Sequence, residues 1–83
     1  MTRQEAVVKM LIDGFGEENV EQYTSAEDAG LTPPQIALVV FRRGTFIIDK
    51  SGNIAYPEDI NPELAYWIAV DLASLDILRE ESV

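Results

Sequence analysis

The chain has 83 residues, of which 15 are acidic and six are basic, so its formal net charge at neutral pH is −9. Apolar residues make up 47% of the chain, the usual share of a globular protein, and the length suits one small domain spanning residues 1–83. Cysteine and histidine are absent, which excludes disulfides, thiolate metal sites and histidine-dependent nucleophile or zinc chemistry.

Membrane insertion and secretion have no support in the sequence pattern. The longest apolar run covers residues 36–41, whereas a membrane-spanning helix needs about 20 apolar residues. The first five residues lack the basic and then apolar layout of a secretory signal. We therefore expect a cytoplasmic protein that does not enter a membrane.

The first element is predicted to be a helix that begins at a capping box. Thr2 has the residue type of an N-cap, and Glu5 stands three positions later, where its side chain can reach back to the cap. The helix should continue to about Asp13, since Gly14 and Gly16 favour termination. Its apolar residues recur at helical spacing and should form the core face: Val7, Val8, Leu11 and Phe15.

Residues 16–32 form a polar segment that we call the acidic connector. It carries five carboxylates: Glu17, Glu18, Glu21, Glu27 and Asp28. Burial of these groups would need matching bases, so we expect the connector to be exposed and largely irregular. A short strand at 20–23 and a helical turn at 25–29 are the local alternatives.

The segment at 36–41 is consistent with either a strand or a helix. Its β-branched and aromatic residues favour a short strand, whereas Thr32, Pro33 and Gly44 could cap, start and end a helix over 33–43. Glycine ends both Arg42-Arg43-Gly44 and Lys50-Ser51-Gly52, the order of a three-residue hairpin loop. We therefore predict a meander of strands at 36–41, 45–49 and 53–56.

The last helix should start at Asn61-Pro62-Glu63, where a cap, a first-turn proline and an acid follow one another, and should run to about Glu80. One apolar stripe is predicted to face the core, with Asp71 projecting into it: Leu64, Trp67, Ile68, Leu72, Leu75 and Leu78. Tyr66, Val70 and Ile77 form a second stripe on nearly the opposite side. Either the rest of the protein covers this second stripe, or it binds a partner or a second copy.

These elements predict an α+β fold in which a three-stranded antiparallel meander packs against the N-terminal and C-terminal helices. Both helices should lie on the same face of the sheet. The alternative is a mostly helical, winged-helix-like fold with one hairpin, in which residues 33–43 form the recognition helix.

No motif supports catalysis, a cofactor or a metal. The adjacent acid pairs, such as Glu58 and Asp59, lie in polar segments, and sequence neighbours usually point apart. Asp49-Lys50-Ser51-Gly52-Asn53 has its glycine at the wrong position for a calcium loop. With only six bases, direct binding of nucleic acid is not expected.

In size, acidity and lack of chemistry the chain resembles small phage-encoded inhibitors, including anti-CRISPR and DNA-mimic proteins. The resemblance implies a non-enzymatic module that presents acids to a basic surface on a nucleic-acid-handling protein. A homodimeric structural or regulatory module that uses the last helix, or an acidic winged-helix factor, are the alternatives. The candidate partner-binding residues are Glu17, Glu18, Glu21, Glu27, Asp28, Tyr66, Val70 and Ile77.

Overall fold

The structure, a computed structural model, describes residues 2–24 and 34–81, and for residues 79–81 it describes the backbone alone. The elements are α1 (Arg3–Phe15), a short 3-10 helix (Glu17–Asn19), β1 (Val20–Thr24), β2 (Ile36–Val40), β3 (Gly44–Ile48), β4 (Ile54–Ala55) and α2 (Pro62–Glu81). Among these described residues, neither helix is both long and apolar enough to cross a membrane. Glu27 and Asp28 lie outside the described residues.

The capping box predicted for α1 is confirmed. The Thr2 hydroxyl accepts a hydrogen bond from the Glu5 amide at 3.1 Å, and the Glu5 carboxylate accepts one from the Thr2 amide at 3.1 Å. The helix ends two residues later than predicted, because Gly14 continues it and Gly16 supplies the left-handed conformation that ends it, with φ of 95°.

The fold is α+β, as predicted, but its antiparallel sheet has four strands rather than three, in the order β1-β2-β3-β4. The additional strand is β1, which lies within the acidic connector and pairs with β2 from Val20 opposite Val40 to Thr24 opposite Ile36. The prediction of a largely irregular connector is therefore wrong for residues 17–24. The partner residues of β1 lie 12 to 20 positions further along the chain, beyond the reach of a local sequence pattern, so pairing across the sheet decides its conformation.

The winged-helix alternative is wrong, because residues 36–40 form a strand. β2 hydrogen-bonds with β1 on one side and with β3 on the other, which makes it an inner strand. The side chains of an inner strand contact neighbouring strands on both faces, so apolar residues suit every position of such a strand.

Both predicted turns end at a glycine with positive φ, and the first turn has a further residue with positive φ, Arg42. In the loop between β3 and β4, Gly52 has φ of 85° and its amide donates to the Asp49 carbonyl at 2.9 Å, as the glycine spacing predicted. Between β2 and β3 the turn covers residues 41–43, and Arg42 has φ of 64°. Gly44 has φ of 108° and is already the first residue of β3, so the loop lies one residue earlier than the predicted Arg42-Arg43-Gly44.

The core lies between one face of the sheet and the two helices. Its fully or almost fully buried members come from α1, β2, β3 and α2: Val7, Val8, Leu11, Leu38, Val40, Phe46, Ile48 and Ile68. Both helices contribute to this cluster, so they cover the same face of the sheet. α1 lies against β2 and β3, and α2 packs mainly against α1.

The α2 helix begins as predicted, with the Asn61 side chain accepting a hydrogen bond from the Glu63 amide at 2.8 Å. Its predicted core stripe is buried only in part. Ile68 is fully buried, but Trp67 is 39% exposed and Leu78 is 63% exposed. Because α2 packs mainly against α1, the edges of the stripe extend beyond the surface that α1 offers.

Candidate protein-binding surfaces

The face of the sheet opposite the helices is apolar and accessible. Side chains alternate along a strand, so the strand pairing places one set of residues on this face, which we call the open face: Glu21, Tyr23, Ala37, Val39, Thr45, Ile47 and Ala55. Val39 and Ile47 are each 38% exposed, although both lie on inner strands. Within residues 2–24 and 34–81 no helix or strand covers this face.

At one corner of the open face, acidic and apolar side chains line a shallow cavity of about 430 Å³, which we call the acidic groove. The residues that line it are Glu18, Asn19, Glu21, Val39 and Phe41. Phe41 is 66% exposed, so the groove offers a large aromatic surface to a partner. Carboxylates and a ring in one cavity suit a ligand that is both basic and partly apolar.

Local hydrogen bonds hold the groove in place. The Asn19 side chain donates to the Phe15 carbonyl at 2.9 Å, which ties the 3-10 helix to the end of α1. The Asn19 carbonyl accepts from the Phe41 amide at 2.8 Å, which fixes the two sides of the groove relative to each other. The Tyr23 hydroxyl donates to the Glu21 carboxylate at 2.6 Å, and this bond raises the pKa of Tyr23 above its ordinary value.

The carboxylates of the groove are available for an external base. Glu18 and Glu21 line the groove, and Glu17 precedes Glu18 in the 3-10 helix without lining it. All three are exposed, and among the described residues none of them takes part in an ion pair. The ion pairs in that part of the chain are Arg3 with Asp76 and Lys9 with Asp13. The structure therefore places two of the five predicted acids, Glu18 and Glu21, in the groove, and Glu17 is adjacent to them in sequence; Glu27 and Asp28 fall outside the described residues.

Two bases adjoin the groove on its other side. Arg42 and Arg43 line a neighbouring cavity of about 470 Å³ that shares Asn19 and Phe41 with the acidic groove. The Arg42 guanidinium lies over the Phe41 ring, 5.2 Å from its centroid, an arrangement in which the ring attracts the cation. The positive charges of this turn thus lie next to the acidic groove.

The second stripe of α2 is exposed. Tyr66 is 73% exposed, and Val70 and Ile77 are exposed on the same side of the helix. Because α2 covers the opposite side of the sheet from the open face, this stripe and the acidic groove form two separate surfaces. The structure does not bring the apolar and acidic candidate residues into one site.

The loop at residues 49–53, which lacks the glycine position of a calcium loop, is held together by hydrogen bonds to Asp49. The Asp49 carboxylate accepts hydrogen bonds at 2.9 Å from the amides of Ser51 and Asn53, and the bond from Asn53 is the main cause of a lowered Asp49 pKa. In the part of the chain that the structure describes, no group of three acidic side chains is arranged to hold a metal ion.

Sequence reasoning did not single out Val39, Phe41 or Ile47 as surface residues. The run of apolar residues at 36–41 was consistent with burial on both faces, whereas only the side of Leu38 and Val40 is buried. The signal that could have revealed the open face is the number of helices: two predicted helices placed on one face leave no predicted helix for the other.

Comparison of the chain with protein-family models, with curated protein sequences and with solved structures finds no match. Function is therefore inferred from the open face, the acidic groove and the exposed side of α2.

Proposed function

We propose that the protein is a non-enzymatic, acidic binding module that occludes a basic surface on a nucleic-acid-handling protein, as small phage-encoded inhibitors of the anti-CRISPR and DNA-mimic kinds do. The observation that supports this proposal is the acidic groove. It places Glu18 and Glu21, which have no ion-pair partner among the described residues, beside the apolar side chains of Val39 and Phe41.

The two kinds of side chain in the groove serve different steps of binding. A net charge of −9 attracts a Lys/Arg-rich surface over a distance and raises the association rate, most strongly at low ionic strength. Exposed carboxylates add little lifetime to a complex, because water and salt screen them. Burial of the Phe41 ring would supply that lifetime, as large aromatic anchors commonly do.

The proposal is tested by binding kinetics with the protein that a pulldown recovers. Reversal to lysine of Glu18 and Glu21, which line the groove, together with the adjacent Glu17 should lower the association rate at low salt by about tenfold or more. The matched control reverses three exposed acids that do not line the groove, Glu58, Asp59 and Glu63, with the same change in net charge. A similar loss in both variants would mean that net charge alone steers association, and it would contradict the groove as the site.

Two further measurements separate the contribution of the Phe41 ring from the contribution of the charges. Phe41→Ala should chiefly raise the dissociation rate, by about tenfold or more for a hot-spot aromatic. Raising the salt concentration should slow association of the unmodified protein markedly. An association rate that is independent of salt and of charge reversal would overturn the proposal.

The exposed side of α2 favours a second candidate, a homodimeric structural or regulatory module that uses this helix. Tyr66, Val70 and Ile77 are exposed to solvent on one side of a helix that is apolar on most sides. A helix of this composition is usually buried. The variant Tyr66→Ala with Val70→Ala should dissociate the dimer if this candidate is correct. If α2 instead anchors a different protein, the variant should leave the oligomeric state unchanged and raise the dissociation rate from that protein.

A further inference from the structure

β1 is an edge strand of the sheet that the described residues form. It pairs with β2 and stands last in the strand order β1-β2-β3-β4. Val20 is half-buried and the other four residues of β1 are exposed. In the part of the chain that the structure describes, no backbone group hydrogen-bonds to the outer side of this strand.

The strand pairing identifies which backbone groups of β1 point outward. The Asn19 carbonyl accepts from the Phe41 amide at 2.8 Å, so position 19 faces β2. In an antiparallel pair the hydrogen-bonded positions recur at every second residue, so Glu21 and Tyr23 also direct their backbone groups toward β2. The alternate residues direct their amides and carbonyls to the free edge: Val20, Gln22 and Thr24.

Apart from the charge of Glu21, the sequence of β1 has none of the features that protect an edge strand. Proteins prevent unwanted pairing with lysine, proline, bulges or very short edge strands. β1 has five residues in regular register with β2, without proline or lysine, and Glu21 is its one charged residue. Its free edge is thus suited to accept another strand.

We propose that β1 pairs with β1 of a second copy of this chain, antiparallel, about a two-fold axis through Gln22. The two four-stranded sheets then form one continuous eight-stranded sheet. Gln22 pairs with Gln22 of the other copy, and Val20 pairs with Thr24. Every residue of β1 with outward backbone groups thereby becomes a hydrogen-bonded position, which is the requirement of an antiparallel ladder.

Complementary hydrogen-bonding groups across the axis support this register. Glu21 of one copy lies opposite Tyr23 of the other on the open face, so the carboxylate meets a hydroxyl donor and not a second carboxylate. Opposite residues on one face interact directly, and like charges in that position are destabilising. The Tyr23 hydroxyl already donates to Glu21 within one chain at 2.6 Å, and the same pair of groups can bond between chains.

The two-fold axis is perpendicular to the sheet, so both open faces lie on one side and all four helices lie on the other. The dimer therefore presents two acidic grooves on one surface. Each copy carries a charge of −9, so the copies repel each other and added salt should favour the dimer. This dependence is opposite to that expected for binding to a basic partner, and the dimer does not rest on the proposed function.

The test is sedimentation of the full chain from micromolar to millimolar concentration, at low and high salt. Gln22→Pro removes an outward amide while it leaves the bonds to β2 intact, and proline is tolerated at such edge positions. The matched control, Gln22→Val, keeps the amide. We expect the unmodified protein and Gln22→Val to dimerise, and Gln22→Pro to weaken dimerisation by about tenfold or more, since the symmetric pair loses two hydrogen bonds.

A second pair of variants tests the register. Tyr23 is exposed, so Tyr23→Arg and Tyr23→Glu both lose the bond to Glu21 without a change in the core. Across the axis, Tyr23→Arg places a base opposite Glu21 and should strengthen the dimer, whereas Tyr23→Glu places two acids together and should weaken it. Equal effects of the two variants would overturn this register.

Monomeric behaviour of the unmodified protein at millimolar concentration in high salt would overturn the proposal, as would a dimer that Gln22→Pro leaves unchanged. Should Gln22→Pro fail to fold, amide hydrogen exchange of the unmodified protein decides the matter. Raising the protein concentration should then slow hydrogen exchange of the Gln22 and Thr24 amides. An exchange rate that does not change at either amide would contradict β1 pairing.

Discussion

The guanidinium of Arg3 forms two hydrogen bonds with the carboxylate of Asp76, from Nε at 3.0 Å and from Nη2 at 3.1 Å, and so joins the first residue of α1 to the C-terminal half of α2. Nη1 of the same side chain donates to the Gly52 carbonyl at 2.7 Å. The hydrogen bond to Asp76 is the main cause of a raised Arg3 pKa. One residue therefore connects α1, α2 and the loop between β3 and β4.

Loss of the Arg3 side chain should destabilise the fold. We expect Arg3→Ala to lower the free energy of unfolding by about 1–2 kcal/mol, a range that allows for water screening of this half-exposed pair. Arg3→Lys keeps the charge but not the two-pronged geometry, so it should recover less than half of the loss. Urea denaturation measures both variants, and full recovery by lysine would show that charge rather than geometry matters.

The contact between Gly14 and Trp67 predicts that the effect of Gly14→Ala on stability changes sign when Trp67 is replaced by alanine. A Cβ atom at position 14 would overlap the six-membered ring of Trp67. Gly14→Ala should therefore destabilise the native sequence, even though alanine favours a helix over glycine by about 1 kcal/mol. In a Trp67→Ala background the overlap is gone, so the same substitution should become stabilising by about that amount. Destabilisation in both backgrounds, measured by thermal unfolding, would contradict the overlap.

The positive φ of Arg42 predicts that glycine is preferred there. A φ of 64° is unfavourable for residues with a Cβ atom. Arg42→Gly should therefore raise the free energy of unfolding by about 0.5–1 kcal/mol, after loss of the stacking on Phe41. Arg43→Gly is the matched control. Position 43 is not among the described residues with positive φ, so glycine there should destabilise the protein.

Asp49 predicts a specific dependence of stability on pH. Amide donors lower its pKa in the folded protein, so ionised Asp49 stabilises the fold at pH above the ordinary aspartate value of about 3.9. That contribution is lost as the pH falls through the lowered pKa. Asp49→Asn should therefore be less stable than the unmodified protein at neutral pH and equally stable once Asp49 is protonated. A difference that persists at the lowest pH would assign the effect to packing, and Asp59→Asn serves as the control.

Binding to duplex DNA is not expected at physiological salt. Affinity for DNA comes largely from contacts between bases and phosphates, and here Arg3 and Lys9 already pair with acids. Arg42 and Arg43 adjoin a groove that carries Glu18 and Glu21. Salt-dependent retardation of a DNA fragment at micromolar protein would contradict this expectation, and loss of that retardation in Arg42→Ala would locate the contact.

Local signals in the sequence predicted the features that depend on local chemistry. The caps at Thr2 and Asn61 and the turn at Gly52 depend on neighbouring residues, and each was found where it was predicted. β1 was missed as a sheet member because three of its five residues are polar and its partner strand begins at Ile36. The contacts of Arg3 span more than 70 positions, which no local pattern reveals.

The residues of the candidate site also divide into those that the sequence could name and those that depend on the tertiary structure. The acids Glu17, Glu18 and Glu21 could be named from composition, because exposed carboxylates on an acidic chain need no tertiary information. Their apolar neighbours Val39 and Phe41 could not, since their exposure depends on which face of the sheet the helices cover. The same limit applied to α2, where apolar residues occur on most sides and periodicity alone did not determine how far burial extends.

The way in which α2 is attached has a consequence for partial unfolding and for the lifetime of the protein in storage. α2 packs mainly against α1, and Ile68 is its one fully buried residue among those described. Weakly attached elements detach in partial unfolding reactions of lower free energy than global unfolding. A detached α2 would expose apolar residues on all sides, a surface prone to aggregation. Mutual repulsion at a charge of −9 keeps such opened molecules apart, so storage at acidic pH, where the carboxylates lose their charge, should shorten the lifetime of the protein in solution.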